Sequence, residues 1–124
     1  MNKPLALEDR LLEFAAIATD IVDMMPNSKL SNHLAGQLIR SSTSPLLNYG
    51  EAQVAESRAD FIHKMKICLK ELKETLVNLK LIKRKNMIAD VIFLNKVLYE
   101  NQQLVSIFVK SVLTASEKSK LKIE

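Results

Sequence analysis

Between Ile62 and Leu79 an apolar residue returns at every third or fourth step: Ile62, Met65, Leu69, Leu72, Leu76 and Leu79. A helix brings such positions onto one face, because each residue advances about 100° around its axis. A strand would need alternation at every second residue. A seam of this length has to be covered, so the chain needs other helices against it. A sheet is disfavoured on separate grounds. Two glycines and three prolines in 124 residues supply few of the tight turns that sheets consume.

The other segments obey the same rule. Leu7, Leu11, Phe14, Ala18, Ile21 and Met25 make a stripe that Pro26 ends. Asn27 and Ser28 offer caps for a second helix, and Ser57 with Asp60 resembles a capping box opening a third. Val91, Asn95, Leu98, Gln102, Val105, Val109 and Val112 read as the seam of a fourth, with Ile88, Ile92 and Phe108 beside them. Helices are expected over about 7–25, 29–54, 58–84 and 87–115, followed by a polar, fraying tail, SEKSKLKIE. Short connections between four helices predict a single all-α domain, an antiparallel up-down-up-down four-helix bundle. Its size allows a real core.

The second helix carries the unusual residues. Gln37, Ser41, Ser44, Asn48 and Glu51 recur at steps of four and three, with Arg40 beside them. Such a polar stripe has two readings: hydrogen-bonded groups between helices of one chain, or a register-fixing contact between subunits. Pro45 interrupts this helix. It removes one backbone donor and clashes with the carbonyl four residues back, at a cost of about 3 kcal/mol. The helix either breaks at Ser-Thr-Ser-Pro or kinks, with Ser41 or Ser44 serving the freed group. The stripe keeps phase across Pro45, which favours the kink.

Charge is concentrated in the third helix. Residues 1–55 hold four bases and six acids, whereas residues 56–85 hold nine bases and four acids, within an overall net charge of +4. Lys66, Lys70, Lys73, Lys80 and Arg84 fall within an arc of about 80° over about 27 Å of axis. Asp60, Glu71 and Glu74 lie to one side of that arc. The arc fits phosphate contact of low sequence specificity, directed at the backbone because aromatics for stacking are few. The competing reading is a solvated helix face, partly neutralised by pairs such as Lys70 with Glu74. Ile67, Val77 and Leu81 fall outside the apolar seam and suggest self-association.

Nothing in the chain composes a catalytic site. His33 and His63 are the two histidines. Asp60 and His63 have the spacing of a carboxylate metal bundle but lack the matching inward glutamates. Cys68 reads as a small buried residue. Neither a phosphate loop, a nucleophile elbow nor a zinc spacing occurs. A non-enzymatic protein with no metal and no cofactor is expected. A lone cysteine, an acid-bearing N-terminal stretch and no long apolar run predict a cytoplasmic protein off the membrane.

Gln37-Leu38, Arg40, Ser44, Asn48 and Glu51, then Ser57, Asp60-Phe61-Ile62 and LKELKETLVNLKLI, carry a resemblance. They resemble the family of four-helix-bundle proteins related to 23S ribosomal RNA intervening-sequence proteins, itself similar to the accessory variability protein of diversity-generating retroelements. The resemblance implies a ring-like homo-oligomer, a pentamer. It also implies RNA or DNA binding in an accessory role, and a protein partner such as a reverse transcriptase. It implies structural or assembly work for Gln37, Arg40, Ser44, Asn48 and Glu51, and carries over no catalytic residue. Pro45 departs from the aliphatic residue the pattern leads one to expect. An adaptor that binds another protein and no nucleic acid is the alternative.

Overall fold

The structure is a computed structural model that describes the backbone of residues 6–123 and the side chains of residues 6–118. Four helices follow one another: α1 (Leu7–Met24), α2 (Lys29–Gln53), α3 (Arg58–Arg84) and α4 (Val91–Ile123). The described residues contain no strand. Each helix packs on the next, and α4 closes back on α1. Bonded partners step backwards along α3 as they step forwards along α2, from Leu34 with Asn78 to Arg40 with Glu71 to Glu51 with Lys64, so these two helices run antiparallel.

The helix starts follow the capping logic. The Ser28 hydroxyl accepts from the Ser31 amide at 3.1 Å, and the Ser57 hydroxyl accepts from the Asp60 amide at 3.0 Å. In α1 the expected stripe is the core face, with Leu11, Phe14, Ala18 and Ile21 buried. Helix α2 runs unbroken through Pro45, which is itself buried. The two serines named as candidates to serve the freed backbone group have other partners: Ser41 meets Thr75, and Ser44 accepts from Asn48.

Two seams shift. In α3 the deepest residues are Met65, Cys68, Leu72, Thr75, Leu79 and Ile82, while Ile62, Leu69 and Leu76 are half-buried at the edge. In α4 the buried line is Leu94, Val97, Leu98, Asn101, Leu104, Phe108 and Ala115; of the expected seam Leu98 is buried and Val105 and Val112 pack against the core, whereas Val91, Asn95 and Gln102 are exposed. Both lines on α4 satisfy helical spacing. The one with leucines and a phenylalanine removes more apolar area from water, at about 25 cal/mol per Å², and so faces inward. Phe108 meets Tyr49 of α2 edge to face, ring centroids 6.1 Å apart, across the middle of the bundle.

The start of α4 also moves, from the expected 87 to Val91. Asn86 adopts a positive φ of 53° just beyond α3. The Met87 amide donates to the Ile82 carbonyl and the Asn86 amide to the Lys83 carbonyl, a Schellman ending with asparagine in the left-handed position. Asp90 then caps α4, its carboxylate accepting from the Phe93 amide at 3.0 Å. At the other end the helix runs to Ile123, past the expected 115. Residues 116–123 contain neither glycine nor proline to stop it. Glu124 and the opening residues 1–5 lie outside the described residues.

Candidate functional site

The cationic residues of α3 all reach solvent: Lys66, Lys70, Lys73, Lys80 and Arg84 are exposed along its outer face. Among the described residues none of them forms an ion pair. For Lys70, four residues before Glu74, the reason lies on the neighbouring helix; Lys66, Lys73, Lys80 and Arg84 have no acid three or four residues away on α3. Arg40 of α2 reaches across to α3 and takes both nearby acids, Nη1 to Glu71 and Nη2 to Glu74, each at 2.8 Å. Gln37 accepts from the same guanidinium at 3.3 Å. A planar guanidinium can serve two carboxylates at once, which a lysine ammonium does less well.

The electrostatics follow from this arrangement. Hydrogen bonding from Arg40 holds the Glu74 carboxyl below its ordinary value of 4.5, with the Lys70 charge adding to that effect and burial opposing it. Glu74 therefore feels Lys70 without pairing with it, and the expected Lys70–Glu74 pair is replaced by the Arg40 fork. Farther along, Lys64 turns inward to Glu51 at 2.8 Å, and that hydrogen bond raises the lysine's pKa. Acids of the α2–α3 seam are engaged by Arg40 and Lys64, and the outer lysines are left to solvent.

Beside the lysines, α2 and α3 enclose an open groove of about 860 Å³. Leu34, Leu69, Val77 and Leu81 give it apolar walls, and Lys66, Lys70, Lys73 and Arg40 ring it with cations beside His33 and Glu74. Lys80 and Arg84 continue the charged face beyond it. Val77, 66% exposed, stands in the middle of the lysines.

The polar stripe of α2 divides. Arg40, Ser41 and Glu51 contact α3 of the same chain; Ser41 is buried, its hydroxyl 2.8 Å from that of Thr75. Asn48 bonds back to Ser44, donating to its carbonyl and its hydroxyl, both at 3.0 Å. Sequence reasoning missed three buried partners in these seams: Glu71, Thr75 and Asn101, whose amide donates to the Leu72 carbonyl at 3.0 Å. The signal for Thr75 was its place between Leu72 and Leu79 on the inner face. Burial pushes the Cys68 thiol up to about 12, and its sulfur lies 3.5 Å from the Pro45 carbonyl oxygen, as a packed and unreactive residue would. His63 is exposed. Among the described residues no group of three His, Cys, Asp or Glu is placed to hold a metal, and no helix is long and apolar enough to cross a membrane.

Residues 9–108, which include all of α2 and α3, match the family described as 23S rRNA-intervening sequence protein. The chain belongs to that family. A solved structure agrees: a protein of unknown function from the S23 ribosomal protein family of Bacteroides thetaiotaomicron. It is 30% identical, superposes with a TM-score of 0.78, and the match covers 86% of this chain and 98% of that one. No curated protein matches the chain. For this 23S rRNA-intervening sequence protein, then, family membership supports the four-helix architecture, and function has to be argued from the surface of α3.

Proposed function

We propose that this protein is a non-enzymatic, cytoplasmic accessory protein. Its α3 face holds RNA or DNA by the phosphate backbone. In this reading the helices run up-down-up-down, and copies of the chain close into a ring, five by family resemblance. One observation carries the reading: among the described residues five cations on one rigid face have no acid partner, and Glu74, the acid within reach of Lys70, is engaged by Arg40. A surface kept cationic in this way attracts polyanions, and lysines spaced along a helix contact phosphates without reading bases.

The test is retention of single- and double-stranded RNA and DNA over a salt series. Lys66→Gln, Lys70→Gln and Lys73→Gln together should weaken retention and flatten its salt dependence by about 0.7–0.9 of a slope unit per lost phosphate contact. The melting curve should stay unchanged, since all three side chains are exposed. Retention equal to wild type at low salt would reject the face as the site.

A second observation favours a protein contact. Ile92, Asn95, Tyr99, Gln102, Ser106, Val109 and Leu113 form an uncharged line on α4 at alternating steps of three and four, and Ile92 is 85% exposed. Such a line supports self-association or an adaptor role with another protein, such as a reverse transcriptase, in place of nucleic acid. Mass in solution separates the cases. A monomer at micromolar concentration removes the ring.

A further inference from the structure

A second cationic groove lies away from the first, between the opening turns of α3 and the second half of α4. It has a volume of about 550 Å³, within the range of about 300–1,000 Å³ common for small-molecule sites. Arg58, Lys110 and Lys118 line it, with Phe61, Ser111 and Thr114 between them. No acid lines it among the described residues. The groove between α1 and α4 differs in that respect: Arg10 there donates to Glu100 at 2.6 Å, and Glu13 lines the same space. Three like charges around one cleft repel one another, and a bound anion relieves that repulsion.

Phe61 gives the groove a second property. It is half-buried, packed on its inner side against the bundle core, and it lines the cleft. A ring fixed by packing and open toward a cation-lined space offers a base something flat to stack on. The Ser111 and Thr114 hydroxyls can donate to phosphate oxygens alongside the cations. Arg58 precedes Lys66 by eight residues, about 12 Å of helix axis, so a strand lying along the α3 face runs toward this cleft.

We propose that this groove is a nucleotide subsite, in which Phe61 stacks against one unpaired base while Arg58, Lys110 and Lys118 hold its flanking phosphates. The proposal rests on the nucleic-acid reading of α3 and adds to it: the preferred ligand is single-stranded, because a base inside a duplex cannot reach the ring. The α3 lysines supply general attraction, and the cleft supplies the preference for an unpaired strand.

The experiment compares the full chain with Phe61→Leu, with Lys110→Gln/Lys118→Gln, and with the triple lysine variant of α3. The probes are a single-stranded oligonucleotide carrying 2-aminopurine and a duplex of equal length. Phe61→Leu keeps an apolar side chain against the core and removes the aromatic face. It should weaken single-strand binding about tenfold and abolish the 2-aminopurine quenching, with duplex binding within about twofold of wild type. Lys110→Gln/Lys118→Gln should weaken single-strand binding and lower its salt slope, so the proposal can be checked even if the phenylalanine variant folds poorly. Equal affinity of wild type for both probes, or equal effects of Phe61→Leu on both, overturns the subsite and leaves the α3 face standing. Loss of all binding in the α3 triple variant alone, with both groove variants like wild type, has the same meaning. Unchanged binding in the triple variant overturns the α3 reading.

Discussion

Helix α3 is packed on two sides by different chemistry. Toward α4 the contact is apolar, built on Leu72 and its neighbours, with the buried amide of Asn101 donating to the Leu72 carbonyl. Toward α2 it is polar: the Arg40 fork, the Ser41–Thr75 hydroxyls, the Asn78 amide donating to the Leu34 carbonyl, and Lys64 with Glu51. The apolar side makes the bundle stable. The polar side fixes how the helices meet and, in doing so, engages Glu74, the acid that would otherwise pair with Lys70. Substitutions on the two sides should therefore differ in kind as well as in size.

The largest effect is expected on the apolar side. Leu72 is fully buried, and Leu72→Ala should lose about 2–5 kcal/mol in urea unfolding, with the spread set by how far the cavity collapses. Nucleic-acid retention by the fraction still folded should be unaltered. A loss below about 1 kcal/mol would mean that α4 packs more loosely than this seam implies.

The next effect lies on the polar side and should show twice. Arg40 is half exposed, its side chain 52% accessible, while the Glu71 side chain it serves is only 11% accessible. Arg40→Gln leaves that buried carboxylate without its cation, and a loss of about 1–2 kcal/mol is expected after allowing for solvent screening at the open end of the pair. The same change removes one groove cation and frees Glu74 to approach Lys70, so retention of RNA or DNA should fall although no α3 lysine has been altered. Stability loss with retention unchanged would separate the two roles and weaken the account of why Lys70 stays free.

These seams also explain what could be read from the sequence and what could not. Helix number, the bounds of α3 and the core face of α1 follow from local spacing and capping, which need no knowledge of neighbours. The inward line of α4 followed only at Leu98, Val105 and Val112, because Val91, Asn95 and Gln102 satisfy the same spacing as Leu94, Val97 and Asn101, and only the packed partner distinguishes them. Asn86 and Asp90 moved the start of α4 through a left-handed ending and a side-chain cap, both written in the sequence as Lys-Asn-Met and Ala-Asp-Val. The exposed lysines of the candidate site were legible from charge and angle. That Lys70 goes without Glu74 was not, since it depends on Arg40 reaching across from α2, 34 residues from Glu74 in sequence. The cleft at Phe61 was likewise out of reach, because it joins residues from two helices that spacing along either one does not relate.

A smaller effect tests the hydroxyl contact within the polar seam. Ser41 and Thr75 are both buried, and the Thr75 hydroxyl also lies 2.9 Å from the Glu71 carbonyl. Ser41→Ala and Thr75→Val should each lose about 1 kcal/mol, and the double variant less than their sum, because the second substitution removes a group already left without its partner. Strict additivity in a double-mutant cycle would mean the two hydroxyls do not interact.

The smallest effect belongs to Glu74, and its sign is fixed by the Arg40 hydrogen bond. The folded protein holds this carboxyl below its ordinary 4.5, so the unfolded chain binds the proton more readily. The stabilisation is therefore fully present above about pH 5 and is lost as pH falls through the folded value. Its side chain is 38% exposed, which limits the contribution to about a few tenths of a kcal/mol. Comparing wild type with Glu74→Gln in urea from pH 7 to pH 3, the wild-type advantage should be constant at neutral pH and shrink toward zero on the acid side. An advantage that grew on acidification would mean the carboxyl is held above 4.5 by burial, and that Arg40 does not control this corner of the seam.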